Sequence, residues 1–245
     1  MLELRDLRKN YGKKTALAGV NLIFRQGIYG LLGPNGAGKS TMMNVIADVL
    51  DASAGEVLYD GQPIKKLGAQ YRKKIAYLPQ RVGYYADFTA EKTLAYFAGL
   101  RGVEKEEVDE RIKYSLEAVN LTDAARSRVG TFSGGMKQRL GIAITLVSDP
   151  EILILDEPTV GLDPKERIKF RNILVGLASE KTIILSTHIV SDVENIADQI
   201  ILIKEGRIIG SGSKGEINGM LGDKRSEDTT LEDVYMNFYD ERQEG

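Results

Sequence analysis

A chain of 245 residues, 42% hydrophobic and 28% charged, has the composition of a globular protein with enough apolar material for a sizeable core. Its 33 basic and 35 acidic side chains nearly cancel, so it has no global positive charge for non-specific binding to nucleic acid. The absence of cysteine excludes disulfides and thiolate metal sites and is compatible with a reducing cytoplasm.

Neither the start of the chain nor its apolar runs are predicted to enter a membrane. The first residues, MLELRDLRKN, alternate charged and apolar side chains and lack the long apolar stretch of a secretory signal. The longest apolar runs, such as EILILD, fall far short of the roughly 20 residues needed to span a bilayer. If the protein acts at a membrane, we expect a partner to cross it.

The first third of the chain is predicted to be rich in strands. Three runs with β-type patterns come first, namely LELRDL, ALAGVNLIF and IYGLL. Helical periodicity follows in KSTMMNVIADVL, from Lys39 to Leu50, and EVLYDG is then typical of another strand. A further short strand ends in YLPQ.

The middle of the chain, from Thr89 to about Val147, has a different pattern. Its segments TAEKTLAYFAGL, EKEEVDERIKYSLEAV and GGMKQRLGIAITLV carry apolar residues at spacings of three and four. Such spacing is typical of helices with one buried face. We therefore predict a helical subdomain over about 86–149.

Strands and helices alternate in the remainder of the chain. EILILD and KTIILST are predicted strands, a helix runs from Pro164 to Ser179, a short helix lies around Val193, and QIILIKEGRIIGSG has a hairpin turn at Glu205-Gly206. Continuous apolar strands between helices indicate an α/β fold whose mostly parallel sheet is covered on both faces. A final helix over about 229–240 carries an apolar stripe that we expect to pack on the same chain, formed by Leu231, Val234, Tyr235 and Phe238.

The phosphate-binding motif is GPNGAGKS, from Gly33 to Ser40, between a predicted strand and a predicted helix. Glycines let backbone N–H groups approach phosphates closely, Lys39 reaches the β and γ phosphates, and Ser40 offers a hydroxyl to Mg²⁺. The alternative is a chance glycine turn at a helix start. We predict that ATP phosphates bind along the loop, at Gly33, Pro34, Asn35, Gly36, Ala37, Gly38, Lys39, Ser40 and Thr41.

Two carboxylates, Asp156 and Glu157, follow the apolar run ILIL, at the edge where open α/β sheets bind their ligands. Asp156 is placed to hold Mg²⁺ through water. Glu157 is placed to orient or deprotonate the water that attacks the γ-phosphate. Surface acids at a turn are the alternative, but a phosphate loop in the same chain favours the catalytic interpretation.

The single histidine, His188, follows the predicted strand TIILS. A solitary histidine after a strand is more often a surface or core residue than a catalytic one. Because TIILS is expected in the same parallel sheet as the phosphate loop, we predict that the imidazole emerges near the γ-phosphate. Gln80 ends its strand in the same way, although by itself it indicates nothing.

A second anion site is indicated in TFSGGMKQRL, where a hydroxyl and two glycines precede a predicted helix. Helix starts carry unpaired N–H groups and the positive end of the helix dipole, so Ser133, Gly134 and Gly135 could hold a phosphate. This site is unexpected, because the chain already has a phosphate loop.

Taken in order, the motifs resemble those of the nucleotide-binding subunit of the ATP-binding cassette (ABC) transporter family. The resemblance covers nearly the whole chain and includes Tyr11, the phosphate loop, Gln80, SGGM at Ser133, the acid pair at Asp156-Glu157, GLD at Gly161–Asp163, and His188. It implies a P-loop NTPase core with an N-terminal antiparallel β subdomain and the helical subdomain. We therefore expect one ABC ATPase domain over 1–245, with its core at about 1–85 and 150–220.

The resemblance also implies roles for individual residues. Tyr11 would stack on adenine, Gln80 would contact Mg²⁺ and sense the membrane partner, and His188 would contact the γ-phosphate. Asp163 would reach across a dimer interface. The usual family signature is Leu-Ser-Gly-Gly-Gln, and this chain departs from it with Phe132 and Met136 at the two ends.

The family pattern offers a reason for the second anion site. In this family two cassettes pack head to tail, and each ATP lies between the Lys39 loop of one chain and the Ser133 helix of the other. With one phosphate loop and no internal duplication, this chain is expected to pair with another molecule, a homodimer being the simplest case. We expect no nucleic-acid partner.

A separate transmembrane permease is the other expected partner, which would place the protein on the cytoplasmic face of a membrane. Family members dock through the helical subdomain, where Tyr84, Tyr85 and Phe88 either form a docking surface or fill that subdomain's own core. The C-terminal helix and SGGMKQR resemble export-type cassettes. Two alternatives are a soluble ABC ATPase acting on ribosomes or DNA, and a regulatory cassette that binds ATP without hydrolysing it.

Overall fold

The structure is a computed structural model that describes residues 1–222 and 229–239. Its strands are β1 (Leu2–Tyr11), β2 (Lys14–Phe24), β3 (Gly27–Leu32), β4 (Ala54–Tyr59), β5 (Gln62–Pro63), β6 (Ile75–Leu78), β7 (Ile152–Asp156), β8 (Thr182–Thr187), β9 (Gln199–Lys204) and β10 (Arg207–Gly212). Its α-helices are α1 (Lys39–Ile46), α2 (Ile64–Leu67), α3 (Ala69–Lys74), α4 (Ala90–Leu100), α5 (Val108–Ala118), α6 (Gly134–Leu146), α7 (Pro164–Ala178), α8 (Val190–Val193), α9 (Lys214–Gly219) and α10 (Leu231–Tyr239).

The central sheet has six strands in the order β10-β9-β3-β8-β7-β6. Strands β9, β3, β8, β7 and β6 are parallel, and β10 is antiparallel at one edge. Strands β3 and β7 are buried along their whole length, which accounts for their uninterrupted apolar sequences. The predicted α/β class with a mostly parallel sheet is confirmed.

Alternate residues of the central strands point into two different cores. In β7, Leu153 and Leu155 belong to a core shared with the helices α4 to α7, whereas Ile152 and Ile154 belong to a second core. The second core also includes Met42 of α1 and side chains of the other sheet, which is antiparallel with the order β2-β1-β4-β5. Helix α1 therefore lies between the two sheets and carries the end of the phosphate loop.

The hairpin predicted at Glu205-Gly206 is confirmed. Lys204 pairs with Arg207 across a two-residue turn, and Glu205 and Gly206 have φ angles of 50° and 74°. Two successive left-handed residues are what a type I′ turn requires, and this turn suits the twist of the flanking strands.

The predicted end of α1 at Leu50 is wrong, because the helix stops at Ile46. Asp48 adopts a left-handed φ of 58°, which a continuing right-handed helix excludes. Its carboxylate is held there by Lys65 at 2.7 Å and Arg72 at 2.8 Å. Helices α2 and α3, which carry these two cations, were not predicted.

Helices α4, α5 and α6 lie within the segment predicted as a helical subdomain and pack on one another around a shared core. Side chains cap two of these helices: Thr89 at the start of α4 accepts a hydrogen bond from the N–H of Lys92, and Ser133 at the start of α6 accepts one from the N–H of Met136. The division into a core at 1–85 and 150–220 and a helical subdomain at 86–149 stays a prediction.

The last described helix, α10, lies against the body of the chain. Leu231 and Val234 are buried, and Tyr235 and Phe238 pack on the same core as the central sheet. The Tyr239 hydroxyl lies 3.0 Å from the carbonyl oxygen of Ile203. Residue 240 of the predicted helix lies outside the described residues.

Candidate nucleotide-binding site

A cleft of about 640 Å³ opens at the carboxyl edge of the central sheet. Because parallel strands end at the same edge, the loops that follow β3, β6, β7 and β8 meet there. The cleft is lined by Tyr11, Lys14, Ala16, Asn35, Gly36, Gly38, Lys39, Ser40, Thr41, Gln80, Glu157, Val160 and His188. The structure thus brings together most of the residues singled out in the sequence.

The phosphate loop needs its glycines for two different reasons. Gly36 and Gly38 have φ angles of 84° and 110°, which side chains of L-residues rarely allow. A Cβ atom at Gly33 would lie 2.5 Å from the carbonyl oxygen of Ile203, and one at Gly38 would lie 2.6 Å from that of Ala16. The loop is therefore pressed against neighbouring backbone and leaves its open side to the cleft.

The ammonium group of Lys39 is buried at the centre of this loop, with 5% of the residue exposed. Its Nζ donates hydrogen bonds to the carbonyl oxygens of Gly33 at 2.7 Å and Pro34 at 3.2 Å, and lies 3.4 Å from Oε1 of Glu157. A buried cation requires such partners. The three oxygen contacts hold a positive charge where a bound anion would meet it.

Asp156, at the end of β7, is a buried carboxylate fixed by two hydroxyl groups. Ser186 donates to its Oδ1 at 2.5 Å, and Tyr77 donates to its Oδ2 at 3.3 Å. Burial and the charge of Asp156 raise the pKa of Tyr77, so that the phenol remains protonated and able to donate. Neither Ser186 nor Tyr77 was identified from the sequence, because strand pairing decides which hydroxyls meet this acid.

Glu157 and His188 form the closest pair of catalytic candidates. Nδ1 of His188 lies 3.0 Å from Oε2 of Glu157. The Glu157 backbone is held in a left-handed conformation, φ 47°, while its N–H donates to the hydroxyl of Ser186 at 3.0 Å. Burial and the charge of Glu157 raise the pKa of Tyr235, a residue of α10.

A magnesium ion would find a partial set of ligands here. Among the described residues no group of three or more His, Asp or Glu side chains could hold a metal. Mg²⁺ is commonly bound by one or two carboxylates together with substrate phosphates and water, so it does not require such a group. Asp156 and the cleft-lining residues Ser40 and Gln80 fit this kind of site.

The second anion site does not line the cleft of its own chain. Ser133 and Gly134 are exposed at the start of α6, and Asp163 is exposed at the start of α7, where it accepts a hydrogen bond from Glu166 N–H at 2.9 Å. Phe132 is buried and Met136 packs on the core, so both departures from the family signature are apolar side chains facing inward. The exposed hydroxyl and amide groups between them are retained.

Gly206 is a residue of the site that the sequence indicated only as a turn. Its N–H donates to the carbonyl oxygen of Ala37 in the phosphate loop at 2.8 Å, and its carbonyl oxygen accepts from Ala18 N–H at 2.9 Å. A Cβ atom at this position would lie 2.5 Å from the carbonyl oxygen of Ala16. The β9–β10 hairpin therefore contacts the phosphate loop directly and supports its backbone.

A phosphate loop between a buried strand and a helix, a buried lysine, and an acid pair on a nearby parallel strand define the class: this is a P-loop ATPase. A family model described as ABC transporter matches residues 17–160. The chain belongs to the ATP-binding subunits of ABC transporters, as its motifs implied, and the alternatives of a ribosome- or DNA-acting ATPase and a non-hydrolysing cassette are not favoured.

Similar proteins are ATP-binding subunits. The linearmycin resistance ATP-binding protein LnrL of Bacillus subtilis is 37% identical over 224 residues, covering 91% of this chain and 72% of that protein. The lantibiotic transport ATP-binding protein SrtF of Streptococcus pyogenes is 39% identical over 211 residues, covering 85% and 89%.

Solved structures agree with these relatives. An ATP-binding subunit of an ABC transporter matches with a TM-score of 0.84 at 28% identity, covering 97% of this chain and 98% of that one. A dimeric bacterial ABC transporter cassette matches with 0.77 at 28% identity, and its post-hydrolysis state bound to ADP and Pi with 0.75 at 27%; each match covers 87% of this chain and 98% of the other. Among residues 1–222 and 229–239, no helix has the length and apolar character that crossing a bilayer would require.

The support that Gly206 gives to the phosphate loop can be separated from its turn conformation. Gly206→Ala should weaken ATP binding, because the new methyl group would push the hairpin away from Ala16 and from the loop. Gly61→Ala is the matched control: Gly61 also follows an acid in a tight turn, with φ 76°, but an added Cβ meets nothing within 4 Å. Each substitution should cost about 1–2 kcal/mol of stability from its positive φ.

Isothermal titration with ATP and thermal unfolding of both variants measure the difference. Equal ATP affinities in Gly206→Ala and Gly61→Ala would contradict a role of the hairpin in holding the loop.

Proposed function

We propose that this ATPase is the cassette of an exporter, which binds ATP with Mg²⁺, dimerises head to tail and drives a separate transmembrane permease at the cytoplasmic face of a membrane. The names of its relatives, a linearmycin resistance protein and a lantibiotic transport protein, support export. The observation that carries the proposal is the separation of two phosphate-binding elements on one chain. One lines the cleft, and the other faces solvent.

In the cleft, the geometry supports a division of labour among the side chains. Lys39 neutralises the β and γ phosphates, while the N–H groups of the loop and of the start of α1 donate to them. Glu157 orients and deprotonates the attacking water, and the contact of its Oε2 with His188 holds it beside the γ-phosphate. Tyr11, which is 50% exposed at the rim of the cleft, stacks on adenine.

Mg²⁺ is assigned to Ser40, Gln80 and Asp156. The ion, when bound, would supply positive charge to the phosphate oxygens. The two hydroxyl groups that hold Asp156 prevent its carboxylate from rotating, so its position does not depend on the nucleotide. Gln80 lies on the loop that leads from β6 into the helical segment and would report the state of the cleft to the permease.

A second copy of the chain completes the site. The start of α6 presents the Ser133 hydroxyl and exposed backbone N–H groups, which have the chemistry of a phosphate site and no cleft of their own. Ser133 uses its oxygen to accept from Met136 N–H, so its O–H remains able to donate to an anion. Head-to-tail pairing of two identical chains would place Ser133, Gly134, Gly135 and Asp163 across from a partner's phosphate loop.

The aromatic residues after Gln80 divide between the two alternatives raised by the sequence. Tyr84 packs inward, and its hydroxyl donates to the carbonyl oxygen of Lys137 at 2.8 Å. Tyr85 is 55% exposed and lies against Phe88 and edge-on to Tyr96, with ring centroids 4.9 Å and 5.7 Å away. We assign this exposed aromatic group to docking on the permease.

Glu157→Gln should slow ATP hydrolysis by roughly 10²–10⁴-fold while leaving ATP bound, because the amide cannot accept the proton of the attacking water. The variant should then accumulate as a dimer with ATP and Mg²⁺. Lys39→Ala is the control, since loss of the central cation should abolish ATP binding and leave a monomer. Size-exclusion chromatography with nucleotide quantification tests both, and a monomer with full ATP occupancy would contradict the shared site.

Gly134→Asp should abolish ATPase activity, because a carboxylate would face the phosphate bound by the partner chain. The substitution has room within its own chain, since an added Cβ at Gly134 meets nothing within 4 Å. Gly176→Asp is a matched control on α7, at another helical glycine with open space and outside the site. The measurement is the steady-state rate of ATP hydrolysis by both variants. A normal rate in Gly134→Asp would contradict the claim that Gly134 faces a phosphate.

Tyr11→Ala should weaken ATP binding by about 5- to 150-fold, the range expected when stacking of roughly 1–3 kcal/mol is lost. Tyr11→Phe keeps the ring and should bind ATP nearly as well as the original chain. Inorganic triphosphate provides the second comparison, because it has no base to stack. If Tyr11→Ala weakens both ligands equally, the ring contacts something other than adenine.

A further inference from the structure

Behind the catalytic pair lies a buried carboxylate that the roles assigned above leave unused. Asp192 lies in α8, four residues after His188, and only 1% of it is exposed. Its Oδ2 accepts a hydrogen bond from the hydroxyl of Thr159, and its Oδ1 accepts one from Nη2 of Arg171 at 3.1 Å. Nη1 of Arg167 lies 3.9 Å from the same Oδ1.

The hydrogen bond between Thr159 and Asp192 joins the two segments that carry the catalytic candidates. Thr159 is two residues after Glu157 and is also buried, with 1% exposed. Along the chain the two bonded residues are 33 positions apart, but Glu157 and His188, the neighbours they support, are in contact at 3.0 Å. A buried bond therefore joins the same two segments as the exposed contact between Glu157 and His188.

The arrangement is suited to fixing a distance. A buried carboxylate is stable only where donors surround it, so Asp192 has little freedom to rotate away from Thr159 and Arg171. Arg171 and Arg167 both belong to α7, whose axis is anchored in the core by Phe170 and Leu174. Through Asp192, which bonds to both Thr159 and Arg171, the two segments are fixed relative to α7.

Other contacts fix only parts of this geometry. Ser186 accepts from the backbone N–H of Glu157 and so joins the two segments where their strands end, whereas the hydroxyl of Thr187 accepts from Ile189 N–H at 2.9 Å within the His188 segment alone. The Thr159–Asp192 bond connects the segment after Glu157 to the segment after His188 by side chains alone.

We propose that Thr159 and Asp192 are positioning residues for ATP hydrolysis, which hold Glu157 and His188 at the spacing required for catalysis. The proposal rests on the catalytic roles proposed for Glu157 and His188. Removing the Thr159 hydroxyl should let the two segments move apart while the phosphate loop, which is held by its own contacts with Ala16, Ile203 and Gly206, stays in place. Turnover should therefore fall without loss of ATP affinity.

Thr159→Val tests this, because it keeps the branched shape and removes only the hydroxyl. We expect kcat to fall by about 10- to 100-fold, the loss typical of misplacement by about 1 Å, with KM and Kd for ATP within about twofold of the original values. Thr159→Ser restores the hydroxyl and should restore kcat. Thr93→Val is the matched control, since Thr93 is equally buried but its hydroxyl bonds to the Thr89 carbonyl oxygen in α4, away from the site.

The single histidine provides a readout of position that does not depend on activity. His188 gives the only imidazole Hε1 resonance of the chain in proton NMR. Thr159→Val should shift this resonance in the nucleotide-free protein, whereas Thr159→Ser and Thr93→Val should leave it in place. Should Thr159→Val not fold, Thr159→Cys, of similar size and with only a weak S–H donor, takes its place with the same expectations.

Two results would overturn the proposal: an unshifted His188 resonance in Thr159→Val, or a loss of kcat that is equal in Thr159→Val and Thr159→Ser. Failure of the proposed catalytic roles has a different signature. In that case Glu157→Gln would hydrolyse ATP at the original rate, and the His188 resonance would still shift in Thr159→Val.

Discussion

The register of three parallel strands determines where the catalytic candidates of this protein lie. Asp156 pairs with Ser186, and Leu32 pairs with Thr187, so that β3, β7 and β8 end close together at the same edge of the sheet. A slip by one residue would turn each strand's side chains to the opposite face and exchange the two cores. Hydrophobic burial of the strands therefore sets the distance between polar residues that directly follow them, such as Glu157 and His188.

The sequence predicted correctly those features that depend only on residues close together in the chain. The hairpin at Glu205-Gly206 and the phosphate loop both follow from short stretches whose backbone requirements are specific. The end of α1 was missed because Asp48 leaves the helix to meet cations that lie about 20 residues later. The hydroxyls of Ser186 and Tyr77 around Asp156 were missed for the same reason, since only the order of strands brings them together.

Under the proposed pairing, nucleotide binding and self-association are one equilibrium. The cleft of a single chain supplies the cation, Glu157 and the phosphate loop, but the exposed Ser133 helix start does not line it. A ligand that contacts both chains stabilises the dimer by as much as the dimer stabilises the ligand. Loss of the terminal phosphate would then weaken both interactions together, which is how a small chemical change becomes a large movement.

The central position of β3 has a consequence for synthesis of the chain. The loop that binds phosphate leaves the ribosome early, but β3 hydrogen-bonds to β8 and β9, and the N–H of Ile28 donates to Asp198, 170 residues later. Contacts of such long range form late and slowly. Until about three quarters of the chain has been made, this strand of the central sheet has no strand to pair with, so its unpaired edges favour aggregation of a nascent cassette before it can bind its first nucleotide.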